Sequence, residues 1–333
     1  MSFIWTIAEQ HDGELKAVSF ELLARGRALA DALDTRLASV LIGAEVSEAQ
    51  LQELVVRGAD EVYYIEDRRL AEFVCESWSN TLATLVRQYQ PAVILAAATS
   101  TGRTLMPHLA VKLNAGLTAD CTELAIEAGT DNLLQTRPAI GGNIMATIKT
   151  PDNRPQMATV RPRSTVPLPR DPQRAGKIIR VPADEAEVET RVRVLGCRTD
   201  AEDFVNLEEA EVVVAGGKGM KRAENFALLR DLAAQLDAMV GASRDAVDRG
   251  WIGYPHQIGL SGKTISPKLY IGAGISGSIQ HLAGIKTAET IVSVNRDPDA
   301  PLHSIADFAI VGDLFEVVPE LTRRLKALKA AET

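Results

Sequence analysis

Residues 269–285, LYIGAGISGSIQHLAGI, constrain this chain more than any other stretch. They open as an apolar strand, Leu269 to Ile271, and run into Gly272-Ala273-Gly274-Ile275-Ser276-Gly277. A short helix follows from Ser278. The glycine run fits G-x-G-x-x-G, and a strand before it with a helix after it is the setting in which that pattern carries chemistry. Glycine lets the backbone turn tightly and approach a ligand with no Cβ in the way. The helix N-terminus then offers free N–H groups and a partial positive charge to a phosphate. The segment is therefore expected to hold the pyrophosphate of a nucleotide or dinucleotide.

Composition allows this and excludes other classes. A chain of 333 residues has room for two domains with cores of their own. Its 46% hydrophobic and 24% charged residues are those of an ordinary globular protein. A net charge of −8, with no Lys/Arg cluster carrying interleaved aromatics, argues against nucleic acid or an anionic membrane as partner. The longest apolar run, Ala92 to Ala98, is too short for membrane insertion as a spanning helix. The start, MSFIWTIAEQHDGEL, has neither the basic opening nor the apolar core of a signal peptide. Cys75, Cys121 and Cys197 are scattered and odd in number, so no disulfide framework or Cys-based metal site is expected, and a cytoplasmic location is.

The first half alternates strand and helix patterns. Strands are expected at Phe3–Ile7, Ser39–Ile42, Val62–Ile65 and Val93–Ala97. Helices are expected at about Ala17–Leu33, after a Ser47 cap, at Leu70–Tyr89, and from Thr99-Ser100-Thr101-Gly102 through Val111. This order implies a parallel sheet covered by helices. Residues 117–197 read as a β-rich extension, with Val188, Val192 and Val194 alternating against Glu189, Arg191 and Arg193. The acidic stretch 200–209 reads as a linker, leaving an N-terminal α/β domain at 1–199 and a second α/β domain at 210–333. The second domain starts with the strand Val212–Ala215 and a helix at about Ala223–Val240. Strands at Leu269–Ile271, Thr290–Val294 and Phe308–Val311 follow, and a helix closes it. A doubly wound domain of this kind binds its ligand at the C-terminal ends of the strands.

Each of those strand ends carries something unusual: Gly216-Gly217-Lys218-Gly219, the glycine loop with Gln280 and His281, Asn295-Arg296-Asp297, and Asp313. Between the first helix and the second strand lies GASRDAVDRGWIGYPHQIGLSGKTISP, in which only Ser243–Val247 looks helical. So long a connection tends to be functional. Ser243, Arg244, His256, Ser261 and Lys263 could face a bound ring system from it. Blander roles stay open: a solvated turn for Lys218, a surface position for His281, an N-cap for Asp313, and an i,i+4 pair with Asp248 for Arg244. No Ser-His-Asp arrangement or metal-ligand spacing stands out, so no catalytic or metal-binding residue is assigned.

The stretch LYIGAGISGSIQHLAGIKTAETIVSVNRDPDAPLHSIADFAIVGDLFEVVPEL resembles the C-terminal signature of the electron transfer flavoprotein alpha subunit, FixB-type proteins included. GGKGMKRAENFALL, GASRDAVDRGW, GLTADCTEL and RPAIGGNIMATI resemble its other blocks, so the likeness runs through nearly the whole chain. The resemblance implies FAD, held mainly by the C-terminal domain, in a heterodimer with a beta subunit that packs on the N-terminal domain. It implies electron exchange with redox proteins such as acyl-CoA dehydrogenases or a quinone oxidoreductase. Carried over, Ser276, Gly277, Ser278, Ile279, Gln280, His281 and Ser243 serve the pyrophosphate and its neighbours, with Lys218 at a phosphate position. Asn295, Asp313 and Leu314 lie toward the adenosine. Arg244, His281 and the 258–261 run (Ile258, Gly259, Leu260, Ser261) surround the isoalloxazine. A cation such as Arg244 and a donor such as His281 would favour the reduced ring. Two positions depart from the family pattern. Lys218 stands where many members have Arg, losing a planar fork. Ile258-Gly-Leu-Ser-Gly stands where many have V-G-Q-T-G. Two other readings remain: an NAD(P)-dependent dehydrogenase using the same loop, and a nucleotide-binding sensor without redox chemistry. The dehydrogenase wants an acid about 20 residues on, where strand 290–294 ends in Asn295.

Overall fold

The computed structural model describes residues 3–139, 144–183, 188, 190–196, 207–208 and 210–332. The chain divides into two compact units, Met1–Gly196 and Cys197–Thr333. In the first, the elements run β1 (Ile4–Ala8), β2 (Gln10–His11), β3 (Glu14–Leu15), α1 (Val18–Ala32), β4 (Leu37–Gly43), α2 (Glu48–Val56), β5 (Glu61–Glu66) and α3 (Cys75–Tyr89). They continue with β6 (Val93–Ala97), α4 (Ser100–Leu113), β7 (Leu117–Cys121), β8 (Glu123–Ile126), β9 (Leu133–Pro138), β10 (Met145–Ile148), β11 (Gln156–Val160) and β12 (Lys177–Val181). Seven strands form one parallel sheet in the order β12-β5-β4-β1-β6-β11-β7. Such a sheet is buried on both faces, which is why β1, β4, β6 and β11 are buried at every residue rather than alternating. Leucines of α1 and α2 cover one face, and Trp78, Leu82, Leu105 and Leu109 of α3 and α4 the other. Ser47 caps α2, accepting from the Gln50 N–H.

The β-rich extension is only partly separate. Strands β8–β10 form a small antiparallel sheet, but β7, β11 and β12 add to the main one. The expected 188–194 strand is absent. Thr190–Gly196 forms no strand, and Val192 and Val194 are exposed. Alternation makes a strand only where a neighbour offers a ladder, and here the chain is instead tied to α3 by Thr190 and Arg191 bonding Glu76. Most of the expected linker, 200–209, lies outside the described residues. Leu207, which is described, is fully buried in the second unit's core, so that core reaches into the stretch.

The second unit runs β13 (Val212–Gly216), α5 (Phe226–Leu236), β14 (Met239–Ala242), α6 (Arg244–Asp248), β15 (Leu269–Ala273), α7 (Ile279–Ala283), β16 (Thr290–Asn295), β17 (Phe308–Val311) and α8 (Leu314–Glu332). Its five parallel strands are ordered β14-β13-β15-β16-β17. One strand beyond expectation is present. The helix expected to reach Val240 stops at Leu236, because Asp237 takes a left-handed conformation (φ 52°, ψ 42°) and the chain turns into β14. One face of the sheet packs on α5 and α8. The other is covered by Ile258 and Ile265 of the long connection with Ile275, Ile285 and Leu302. The connection is thus part of the core.

Candidate functional site

Numbered along the chain, the strands of the second unit lie in the order 2-1-3-4-5. Their direction of winding reverses between β13 and β15, and the crevice for a ligand opens at the C-terminal ends of that pair. Both ends carry glycines, and the two loops touch backbone to backbone. The Gly217 N–H donates to the Ala273 carbonyl (3.1 Å), and the Gly219 N–H to that of Gly274 (3.0 Å). A Cβ on Gly217 would lie 2.4 Å from the Gly274 oxygen, and one on Gly219 2.6 Å from the Gly274 Cα. Gly274 has φ +64° and Gly277 φ +90°, with the Leu302 N 2.5 Å from any Cβ at 277. The glycines expected to make room for a ligand are therefore already required by approach of protein to protein.

What they leave open is a row of donors. From Ile275 to Gln280, no backbone N–H donates to an acceptor among the described residues; the pattern resumes with His281 and Leu282, both donating to the Ser278 carbonyl. Ser276, Ser278, Ile279 and Gln280 are exposed, so these N–H groups are open to solvent or ligand, and successive free N–H groups can make a nest for an anion. The nest opens on a cleft of 680 Å³ that the loops 218–221, 243–245, 258–261, 274–281 and 295–297 contribute to.

Of the residues carried over from the family resemblance, all line this cleft except Ile279, Asp313 and Leu314. His256 and Lys263, expected to face a bound ring system, do not line it, and the His256 Nδ1 lies 2.6 Å from the Val240 carbonyl instead. The Ile279 side chain is exposed. Leu314 is buried in the core, and its Cδ2 is 2.7 Å from where a Gly274 Cβ would sit, so it shapes the loop from behind. Asp313 takes the bland reading. It accepts from the Phe315 N–H (3.0 Å) at the start of α8 and pairs with Arg296, and these bonds hold its carboxyl below the usual range. Arg244 lines the cleft and also pairs with Asp248 (3.2 Å), both side chains largely exposed. Asn295 spends its amide on the loop, donating to the Ile275 carbonyl (3.0 Å) and accepting from the Asp297 N–H (3.2 Å). Ser261 accepts from Gln257 Nε2 (3.1 Å), which leaves its own O–H to give.

His281 departs most from expectation. It is buried, with Nδ1 3.1 Å from the Ile258 carbonyl and Nε2 2.8 Å from the hydroxyl of fully buried Tyr270. A carbonyl can only accept, so Nδ1 carries the proton and Nε2 accepts from Tyr270. Burial, partly offset by the Ile258 bond, lowers its pKa to about 4. The ring is neutral at pH 7 with both nitrogens engaged, so it donates to no ligand without exchanging a partner. Sequence reasoning passed over Lys221, Asp245 and Ile275, which also line the cleft. The signal for Lys221 was present, three residues past Lys218 in GGKGMKR. Among the described residues no cluster of His, Cys, Asp or Glu could hold a metal ion, and no helix is long and apolar enough to cross a membrane.

Known proteins match this chain over both units. Residues 4–186 match the electron transfer flavoprotein domain, and 206–286 match the electron transfer flavoprotein FAD-binding domain, the segment that builds most of the cleft. The chain is 47% identical over 326 residues to an electron transfer flavoprotein subunit alpha from Thermoanaerobacterium thermosaccharolyticum, covering 98% of each. It is 41% identical to a protein FixB from Clostridium saccharobutylicum, covering 99% of this chain and 98% of that one. It is 42% identical to an electron transfer flavoprotein subunit alpha from Megasphaera elsdenii, covering 98% and 97%.

Proposed function

The chain belongs to the electron transfer flavoprotein alpha-subunit family and carries its FAD-binding domain, and from that premise we propose that the cleft at the β13–β15 switch point holds the FAD. The run of N–H groups from Ile275 to Gln280 carries this reading, since free successive N–H groups suit an anion and FAD brings a diphosphate. Neither a nicotinamide-dependent dehydrogenase nor a sensor without redox chemistry finds support among the relatives.

Bound FAD supplies the capacity to take up and release electrons; the chain supplies binding and electrostatics. The 275–280 nest grips the diphosphate. The Arg244 guanidinium, with Nε on Asp248, keeps its terminal nitrogens for the cleft. A cation there favours a ring that gains negative charge on reduction. The Ser261 hydroxyl is a donor for a ring nitrogen. His281 forms a neutral wall fixed by Tyr270 and Ile258. As in the family it belongs to, the chain acts as an electron carrier, working as the alpha half of a heterodimer with a beta subunit. Its donors and acceptors are redox proteins of the kind that include acyl-CoA dehydrogenases and quinone oxidoreductases.

Co-expression with the beta subunit should give a yellow 1:1 complex with one FAD in the alpha-chain cleft. A stable complex that stays colourless and takes up no added FAD would overturn the assignment.

A further inference from the structure

The ionised groups on the cleft wall do not balance. Asp245 pairs with Arg249 (3.1 Å) and Arg244 with Asp248 (3.2 Å), while Asp297, whose carboxylate accepts from the Asp299 N–H (3.0 Å), keeps its charge. Against that one carboxylate stand two cations, Lys218 and Lys221. Neither has a carboxylate within 4.0 Å among the described residues, and both line the cleft beside the unsatisfied N–H groups. They are brought together by one tight turn. The Lys221 N–H donates to the Lys218 carbonyl (3.1 Å), and the preceding Gly219 is pinned to Gly274. Lys221 closes that turn at φ +67°, a left-handed conformation that disfavours any residue with a side chain. Its ammonium sits over the Phe315 ring, 4.9 Å from the centroid, and its charge also helps hold the Asp313 carboxyl low.

We propose that Lys221 is a second phosphate-binding cation of this cleft, acting with Lys218 as a two-lysine clamp on the diphosphate of the bound cofactor. The proposal rests on the FAD reading above and assigns a role to a residue that reading does not need. Each ammonium is a compact point charge without the planar fork of a guanidinium, and this cleft wall carries two of them. The turn that leaves Lys221 left-handed places both lysines on the cleft wall.

The left-handed backbone makes the test clean. Lys221→Gly removes the charge and relaxes the turn, so the fold is kept. In the alpha–beta complex stripped of cofactor, Lys221→Gly should weaken FAD about tenfold and ADP by the same factor, and Lys221→Arg should recover most of both. FAD binding to Lys221→Gly within twofold of wild type would overturn the clamp while leaving the FAD site standing. FAD weakened with ADP unchanged would also overturn it, since the lysine would then face the flavin half. A wild-type complex that binds neither FAD nor ADP would remove the FAD reading together with the clamp.

Discussion

At the scale of single residues, the cleft shows how a charge can serve structure and ligand together. Arg244 makes the i,i+4 pair with Asp248 that its spacing predicts, and it lines the cleft as the family resemblance implies. The two roles have different magnitudes. An exposed helix pair is worth a few tenths of a kcal/mol. A tenfold bias toward the reduced ring is worth about 1.4 kcal/mol, or about 60 mV for one electron. Arg244→Ala is therefore expected to leave the melting temperature nearly unchanged while lowering the potential of the first electron by tens of millivolts, with Arg244→Lys in between. Redox titration of the complex checks this; unchanged potentials would place the guanidinium away from the ring. Lys218, the 276–281 run and Asn295 were legible because they end or follow strands that the sequence pattern shows, whereas Ile258–Ser261 on the long connection rested on the family resemblance. The state of His281 was not. Its partners, Tyr270 on β15 and the Ile258 carbonyl on the long connection, come from 11 and 23 positions away and leave no local pattern.

At the scale of elements, alternation of strand and helix was plain in both units, but the ends of elements depended on single backbone conformations. Met239 and Val240 continue the helical spacing of Leu228, Leu229, Leu232 and Leu236, so the pattern alone runs the helix to Val240. Asp237 breaks it by turning left-handed, and Met239–Ala242 becomes the edge strand β14. Asp237→Gly separates the two descriptions. In a left-handed cap glycine relieves strain and should stabilise the second unit by about 0.5 kcal/mol. Inside a continuous helix it would destabilise it by about 1 kcal/mol. Chemical denaturation of the variant decides by sign. Residues 117–197 were read as β-rich as a whole, without the place of β7, β11 and β12 in the main sheet, because sheet membership depends on partners remote in sequence.

At the scale of the whole molecule, the two units have separate cores and should respond to pH in opposite ways. In the first, burial raises the Glu21 carboxyl to about 7, against the opposing effect of the Arg163 N–H and charge. Between pH 4.5 and 7 the folded state then holds more protons than the unfolded, so this group's contribution to stability is lost as pH rises. In the second, the pKa of His281 is depressed to about 4. Between pH 6.5 and 4 the unfolded state holds more protons, so its contribution, up to about 3 kcal/mol, is lost as pH falls. Hydrogen exchange followed by mass spectrometry reads the units separately. From pH 4.5 to 7, protection of β15 and β16 should rise relative to a His281→Gln variant. Protection of β1 and β6 should fall relative to Glu21→Gln. A parallel drift in both units, unaffected by either substitution, would show that neither group carries the effect.

The backbone contact between Gly219 and Gly274 bears on how such chains are recognised at all. No side chain is tolerated at 217, 219 or 274 whatever the cleft contains, so a descendant that had discarded its cofactor would keep these glycines for as long as it kept its fold. The glycine signature dates the architecture; the ligand is dated by the positions free to drift once it is gone, Lys218, Lys221 and Ser261 among them.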